Sequence, residues 1–154
     1  MSKREYVLDI ANIIRILPQR PPAVLLDQVV ELNPGSRVLA TKNITISDPA
    51  FLGHFPGFPV YPGTRMLDVM VQACTVLAYA TEKFDPSNDA VSLVGVNKTK
   101  FRRAVLPGEV LDVEAELTQR RSNVWRFDVT AYVDDFLVAE SGIVLSIMRR
   151  EDLF

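Results

Sequence analysis

This chain has one histidine and one cysteine in 154 residues, and each scarcity excludes a class of function. A lone Cys74 closes no internal disulfide and supplies no metal-ligand spacing; it reads as a small core residue, and a reducing cytoplasm is the expected setting. No metal is expected. Neither charge sign is in excess: 17 Lys and Arg against 19 Asp and Glu leave a net charge of −2, so the chain has no global basic field for nucleic acid. No apolar run approaches the roughly 20 residues of a membrane span, and the opening stretch MSKREYVLDI lacks the apolar core of a signal peptide. Repeats and linkers are absent too. What remains is a chain that is 48% hydrophobic and 23% charged, the balance of one soluble globular domain with a core of its own.

The residues that are present concentrate around one segment. From Gly53 to Gly63 the chain reads Gly-His-Phe-Pro-Gly-Phe-Pro-Val-Tyr-Pro-Gly and holds the single histidine, His54. Proline removes N–H donors and glycine permits unusual dihedrals, so this is neither helix nor central strand. It is a stiff loop that can hold one side chain at little entropic cost. A nearly all-apolar helix follows, from about Thr64 to about Lys83, and its pattern predicts burial on most sides. One carboxylate, Asp68, sits near its start among Met66, Leu67, Val69 and Met70. A helix opened by a Pro-Gly turn offers unpaired N–H groups and the positive end of its dipole. An imidazole, a carboxyl group and such a helix start are the parts required for proton transfer beside a carbonyl. Burial is expected to raise the Asp68 pKa against the opposing pull of the helix start. Gln72, one turn beyond Asp68, lies on the same face and is expected to orient its carboxyl group.

Elsewhere the patterning predicts mostly strands. Asp9 is placed to cap a short helix with Ile10, Ile13, Ile14 and Leu17 on one face, ended by Pro18. A β-rich run from Ala23 to Leu32 closes at Asn33-Pro34-Gly35. In the next strand, about Ser36 to Ile46, Val38, Ala40, Ile44 and Ile46 share a face on which Lys42 is the exception. After the turn cluster Asp85 to Asp89, long strands are expected at about Ala90 to Val105, Glu109 to Arg121, Val124 to Val133 and Phe136 to Met148. Their one-sided alternation describes an antiparallel sheet with one wet face. The dry face needs a cover, and only the apolar helix is long enough. The fold class is therefore α+β, a strongly curved antiparallel sheet wrapped around one long helix. A free sheet edge and the proline-rich loop call for a dimer joined edge to edge.

The pattern Gly53-His54-Phe55-Pro56-Gly57, Pro59-Val60, Pro62-Gly63, followed by Asp68, Met70 and Gln72, resembles the signature of the (3R)-hydroxyacyl-[acyl-carrier-protein] dehydratases of FabZ/FabA type, which have the hot-dog fold. The resemblance extends to Ile16 through Arg20, Leu25-Leu26-Asp27, and Phe101-Arg102-Arg103 with Val105 and Pro107-Gly108-Glu109. It implies that His54 of one subunit faces Asp68 of its partner at the mouth of an acyl tunnel. His54 would remove the α-proton of the thioester, Asp68 would protonate the departing hydroxyl, and the N–H of Gly63 would bind the carbonyl oxygen. The product would be a trans-2-enoyl thioester and water, formed without metal or nucleotide, in fatty-acid or polyketide-type synthesis. The substrate would ride on the phosphopantetheine of acyl carrier protein, and the enzyme would be a homodimer or a trimer of dimers. Phe55, Phe58, Tyr61 and Phe101 are candidates for lining the tunnel. Lys98, Lys100, Arg102 and Arg103 are candidates for docking the acidic carrier or its phosphate. Two positions depart from the family's habit: Gln19 stands where histidine is frequent, and Asp68 where the FabZ subgroup carries glutamate and the FabA subgroup aspartate.

Two other functions fit parts of the sequence. An acyl-thioester hydrolase on the same scaffold would use Asp68 to activate water but has no clear need for His54. A non-catalytic acyl-binding subunit would gain nothing from a buried acid beside a base.

Overall fold

A computed structural model describes residues 6–153; the first five residues of the opening stretch and residue 154 lie outside the described part. Asp9 caps helix α1 (Ile10–Ile16), its carboxylate accepting from the Asn12 N–H at 2.9 Å. Of the apolar positions expected to share a face, Ile13 and Leu17 are buried, whereas Ile10 remains 44% exposed. Strands β1 (Gln28–Asn33) and β2 (Arg37–Asn43) form a hairpin, and a short 3-10 turn at Pro49–Phe51 leads into the loop. Helix α2 spans Gly63–Thr81, starting one residue earlier and ending two residues earlier than its pattern suggested. Strands β3 (Asp89–Phe101), β4 (Val110–Arg121), β5 (Val124–Val133) and β6 (Phe136–Arg149) complete a six-stranded antiparallel sheet in the order β1-β2-β4-β5-β6-β3.

The curved sheet wraps around α2. Leu111, Val113 and Ala115 of β4, and Trp125, Phe127, Val129, Ala131 and Val133 of β5, all point inward and are at most 3% exposed. They meet Met66, Val69, Met70, Ala73, Cys74, Val76, Leu77 and Ala78 of the helix. Burying each large apolar side chain is worth about 1.5–3 kcal/mol, so this contact fixes where the start of α2 stands. The fold class read from the sequence is the one found.

Three element ends differ from their sequence patterns, each for a tertiary reason. The run Ala23 to Leu32 joins the sheet only from Gln28, because the preceding backbone is held by α2: Gln72 Oε1 accepts from the N–H groups of Leu25 and Leu26, and its Nε2 donates to Ala23 O. Strand β3 stops at Phe101 rather than Val105; the chain then leaves the sheet, and Val105, fully buried, accepts a 2.8 Å hydrogen bond from Tyr61 N–H. In β2 the expected apolar face ends at Ile44, with Ile46 63% exposed. Lys42 stays on the inner face because Asp48 meets it there, Nζ to Oδ2 at 3.4 Å.

Candidate active site

The site begins with how the loop holds its histidine. Asp48 caps the 3-10 turn by accepting from Ala50 N–H at 2.9 Å, and Phe51 at the end of that turn accepts from His54 N–H at 3.3 Å. The far side of the loop folds back: Val60 N–H donates to His54 O at 3.1 Å, and Phe55 and Phe58 exchange backbone hydrogen bonds. The His54–Phe55 peptide bond is cis. The imidazole is then fixed by a 2.7 Å contact between His54 Nδ1 and Val60 O. A carbonyl only accepts, so Nδ1 carries the proton and the lone pair of neutral His54 resides on Nε2. The Phe55 ring stacks on the imidazole at 4.0 Å between centroids while staying half exposed.

Beyond the loop, Pro62 supplies the helix cap, its carbonyl taking the N–H groups of Arg65 and Met66 at 3.0 and 3.1 Å. Among the described residues, the N–H of Gly63 has no acceptor and points from the positive end of α2. At Gly63 the backbone also runs close to β3: a methyl group there would sit 3.2 Å from the Phe101 ring. His54, Gly63, Val60, Tyr61, Phe101 and Arg103 line one recess of about 340 Å³. An imidazole with a free Nε2 and an unpaired helix-start N–H thus share one opening, the pairing suited to removing a proton α to a carbonyl.

Asp68 stands one helical turn further on, half-buried and outside that recess of its own protomer. Burial raises its pKa above the ordinary carboxylate value, and the nearby Arg65 pulls the other way. No hydrogen bond to its carboxyl group occurs among the described residues, so the expected link from Gln72 is not formed. The Gln72 amide, fully buried, is committed instead to the backbone of residues 23–26.

The basic cluster divides. Arg102 and Arg103 border the recess, each in an ion pair, to Glu140 at 3.1 Å and to Glu109 at 3.0 Å. Lys98 lies elsewhere, on the outer sheet face in a groove of about 490 Å³ that also contains Glu114, Glu116, Asp128 and Glu140. Among the described residues, no three His, Cys, Asp or Glu side chains group as metal ligands would, and no helix is long and apolar enough to cross a membrane.

Two groups at the site were not singled out by sequence reasoning. The Val60 carbonyl sets the histidine tautomer, and a backbone atom leaves no side-chain signal. The Lys42–Asp48 pair underlies the turn before His54; Lys42 as the exception in an apolar face was its signal.

Comparison with known proteins identifies the family. Residues 17–141 match the family model described as a FabA-like domain. A 3-hydroxyacyl-[acyl-carrier-protein] dehydratase FabZ of Myxococcus xanthus is 42% identical over 144 residues, covering 94% of each chain. The FabZ of Campylobacter lari is 42% identical over 146 residues, covering 94% of this chain and all of the relative. Among solved structures, a chain of the dehydratase heterocomplex ApeI:P from Xenorhabdus doucetiae superposes with a TM-score of 0.79 at 19% identity, over 92% of this chain and 93% of that one, a likeness of fold. The hot-dog architecture, the matched domain and the identity to these relatives together place this chain in the FabA-like family, the family of the FabZ 3-hydroxyacyl-[acyl-carrier-protein] dehydratases.

Proposed function

We propose that this protein is a 3-hydroxyacyl-[acyl-carrier-protein] dehydratase, removing water from a (3R)-3-hydroxyacyl thioester to give the trans-2-enoyl thioester in fatty-acid synthesis. The observation that carries the reading is the recess in which His54, its Nδ1 tied to Val60 O, opens Nε2 beside the unpaired N–H of Gly63. His54 Nε2 takes the C2 proton, and the electron pair moves onto the thioester carbonyl oxygen, where the Gly63 N–H stabilises it. One such preorganised donor is worth on the order of 100–1,000-fold in rate. The pair then returns to form the C2–C3 double bond as the C3–O bond breaks. Asp68, whose pKa burial raises, gives its proton to the departing hydroxyl and water leaves. The reaction draws on no cofactor beyond the phosphopantetheine that carries the substrate.

Asp68 lies outside its own protomer's recess, which supports a site completed by Asp68 of the partner subunit. The sheet supports the dimer that this requires. Strand β1 is partly covered by the Leu8 bridge to Val29, whereas β3 leaves an open edge with Leu93, Val94 and Val96 exposed. Pairing of two β3 edges joins the sheets, as dimers or trimers of dimers. Arg102 and Arg103, at the recess mouth, suit the carrier's acidic surface and phosphate, with Lys98 a more distant contact; Phe55 packs against the imidazole on the substrate side. The cytoplasm, with its carrier protein, is the compartment for this activity.

Mixing His54→Ala chains with Asp68→Asn chains tests the shared site. Each variant alone is expected to be inactive on a (3R)-3-hydroxyacyl carrier thioester, and exchanged heterodimers are expected to recover part of the native turnover. Failure of well-exchanged heterodimers to recover any would refute the cross-subunit pairing.

A further inference from the structure

The two arginines at the recess mouth are held to very different degrees. Arg103 is committed to its own turn. Both of its terminal nitrogens donate to Glu109 Oε1 at 3.0 Å, and Nη1 also donates to Ala104 O at 3.1 Å. Glu109 is fixed in turn, because its Oε2 accepts from Leu106 N–H at 2.9 Å. Arg102 has a single side-chain contact, from Nη2 to Glu140 Oε1 at 3.1 Å, and its side chain is 45% exposed. Only that one partner has to be replaced for Arg102 to take another anion.

Glu140 is placed as a stand-in for such an anion. It lies on β6 directly across from Lys100 of β3, so the two side chains share a face of the sheet. It also lines the outer groove together with Lys98. Glu140 thus borders all three cations of the β3 run while holding the one that faces the recess. An ion pair this exposed is worth no more than about 5-fold in an equilibrium constant, so it exchanges readily. What enters a recess is the arm that bears the thioester. A phosphopantetheine arm carries one charged group, its phosphate, whereas the acidic side chains of the carrier stay outside. A phosphate also fits the planar fork of a guanidinium, which the single-oxygen contact with Glu140 does not fill.

We infer that Glu140 is a built-in competitor for Arg102: it occupies the guanidinium in the free protein and gives way to the phosphate of the carrier's arm. It therefore sets the affinity for the loaded carrier without touching the chemistry. This rests on the reading of the recess as the site of a carrier-bound thioester. Glu116, an exposed acid of the same outer groove, holds no cation among the described residues and contributes only a general field. Because differences in affinity between related complexes lie mostly in the rate of dissociation, the competition also hastens departure of the carrier with its product.

The test is calorimetric titration of the full-length chain at low salt, with acyl carrier protein bearing its phosphopantetheine arm and with the carrier lacking it. Glu140→Gln is expected to bind the arm-bearing carrier about 2- to 5-fold more tightly than the native chain, with the armless carrier unchanged. The gain should vanish when Arg102→Met is added, since the group being competed for is then gone. Glu116→Gln should bind as the native chain does. In turnover of the carrier-bound substrate, Glu140→Gln should lower KM by a similar factor and leave kcat unchanged. An unmoved affinity in Glu140→Gln would overturn the inference. So would an equal gain for the armless carrier or in Glu116→Gln, either of which makes Glu140 one more charge in a repulsive field. If the gain appears as expected while the native chain dehydrates nothing, competition at Arg102 stands and the dehydratase reading falls.

Discussion

Gln72→Leu separates a structural from a catalytic reading of the most deeply placed polar side chain in α2. The native amide, fully buried, binds Leu25 N–H at 2.8 Å, Leu26 N–H at 3.3 Å and Ala23 O at 2.8 Å. Leucine fills similar space but accepts nothing. Ala23 is exposed, so its carbonyl can turn to water. Leu25 and Leu26 are 4% and 0% exposed, and their N–H groups would be stranded. At about 1–3 kcal/mol for each unsatisfied buried group, with the longer contact at the lower end, the loss is roughly 2–5 kcal/mol. For a domain of this size that lowers Tm by roughly 5–15 °C. Urea unfolding followed by circular dichroism gives the free energy, and kcat of the folded fraction at low temperature gives the catalytic effect. The expected result is a large loss of stability with kcat within a few-fold of native. A variant as stable as native but with collapsed kcat would refute the reasoning and return Gln72 to Asp68.

Other perturbations follow from the same contacts. Gly63→Ala places a methyl group 3.2 Å from the Phe101 ring; kcat/KM should fall as the helix start is displaced, and a crystal structure should show the ring moved by a few tenths of an ångström. Lys42→Met leaves the partly buried Asp48 without its cation and should cost about 1–3 kcal/mol in urea unfolding, most of it recovered in Lys42→Met with Asp48→Asn. Asp68 has a raised pKa in the folded chain, so the native state binds its proton more tightly than the unfolded state. Stability is then lost as pH rises from the unfolded value through the folded one. Asp68→Asn should therefore be more stable than native at neutral pH, with the gap closing below about pH 4, as read from Tm against pH.

Much of this architecture was legible because strand alternation and a long apolar helix are strong signals. The alternation in β4 and β5 predicted their buried faces residue by residue, and the loop signature drew attention to His54 and Gly63, which the fold brings into one recess. What escaped notice depended on partners distant in sequence. Nothing between Ala23 and Asp27 reveals that an amide from residue 72 will peel that backbone away from the sheet. Val105 looks like strand until it is seen accepting from Tyr61. Lys98 and Arg102 read as one basic run, yet the bulge in β3 between Asn97 and Lys100, with Lys98 at φ 50°, carries Lys98 to the outer groove.

The central claim is tested most directly by offering a (3R)-3-hydroxyacyl thioester on acyl carrier protein to the native chain and to His54→Ala, and resolving the carrier-bound products by mass spectrometry. The account predicts loss of water with the thioester intact in the native reaction, and none above background in His54→Ala. Release of free acid by both proteins would contradict it, and would make this chain a thioester hydrolase in which His54 has no catalytic part.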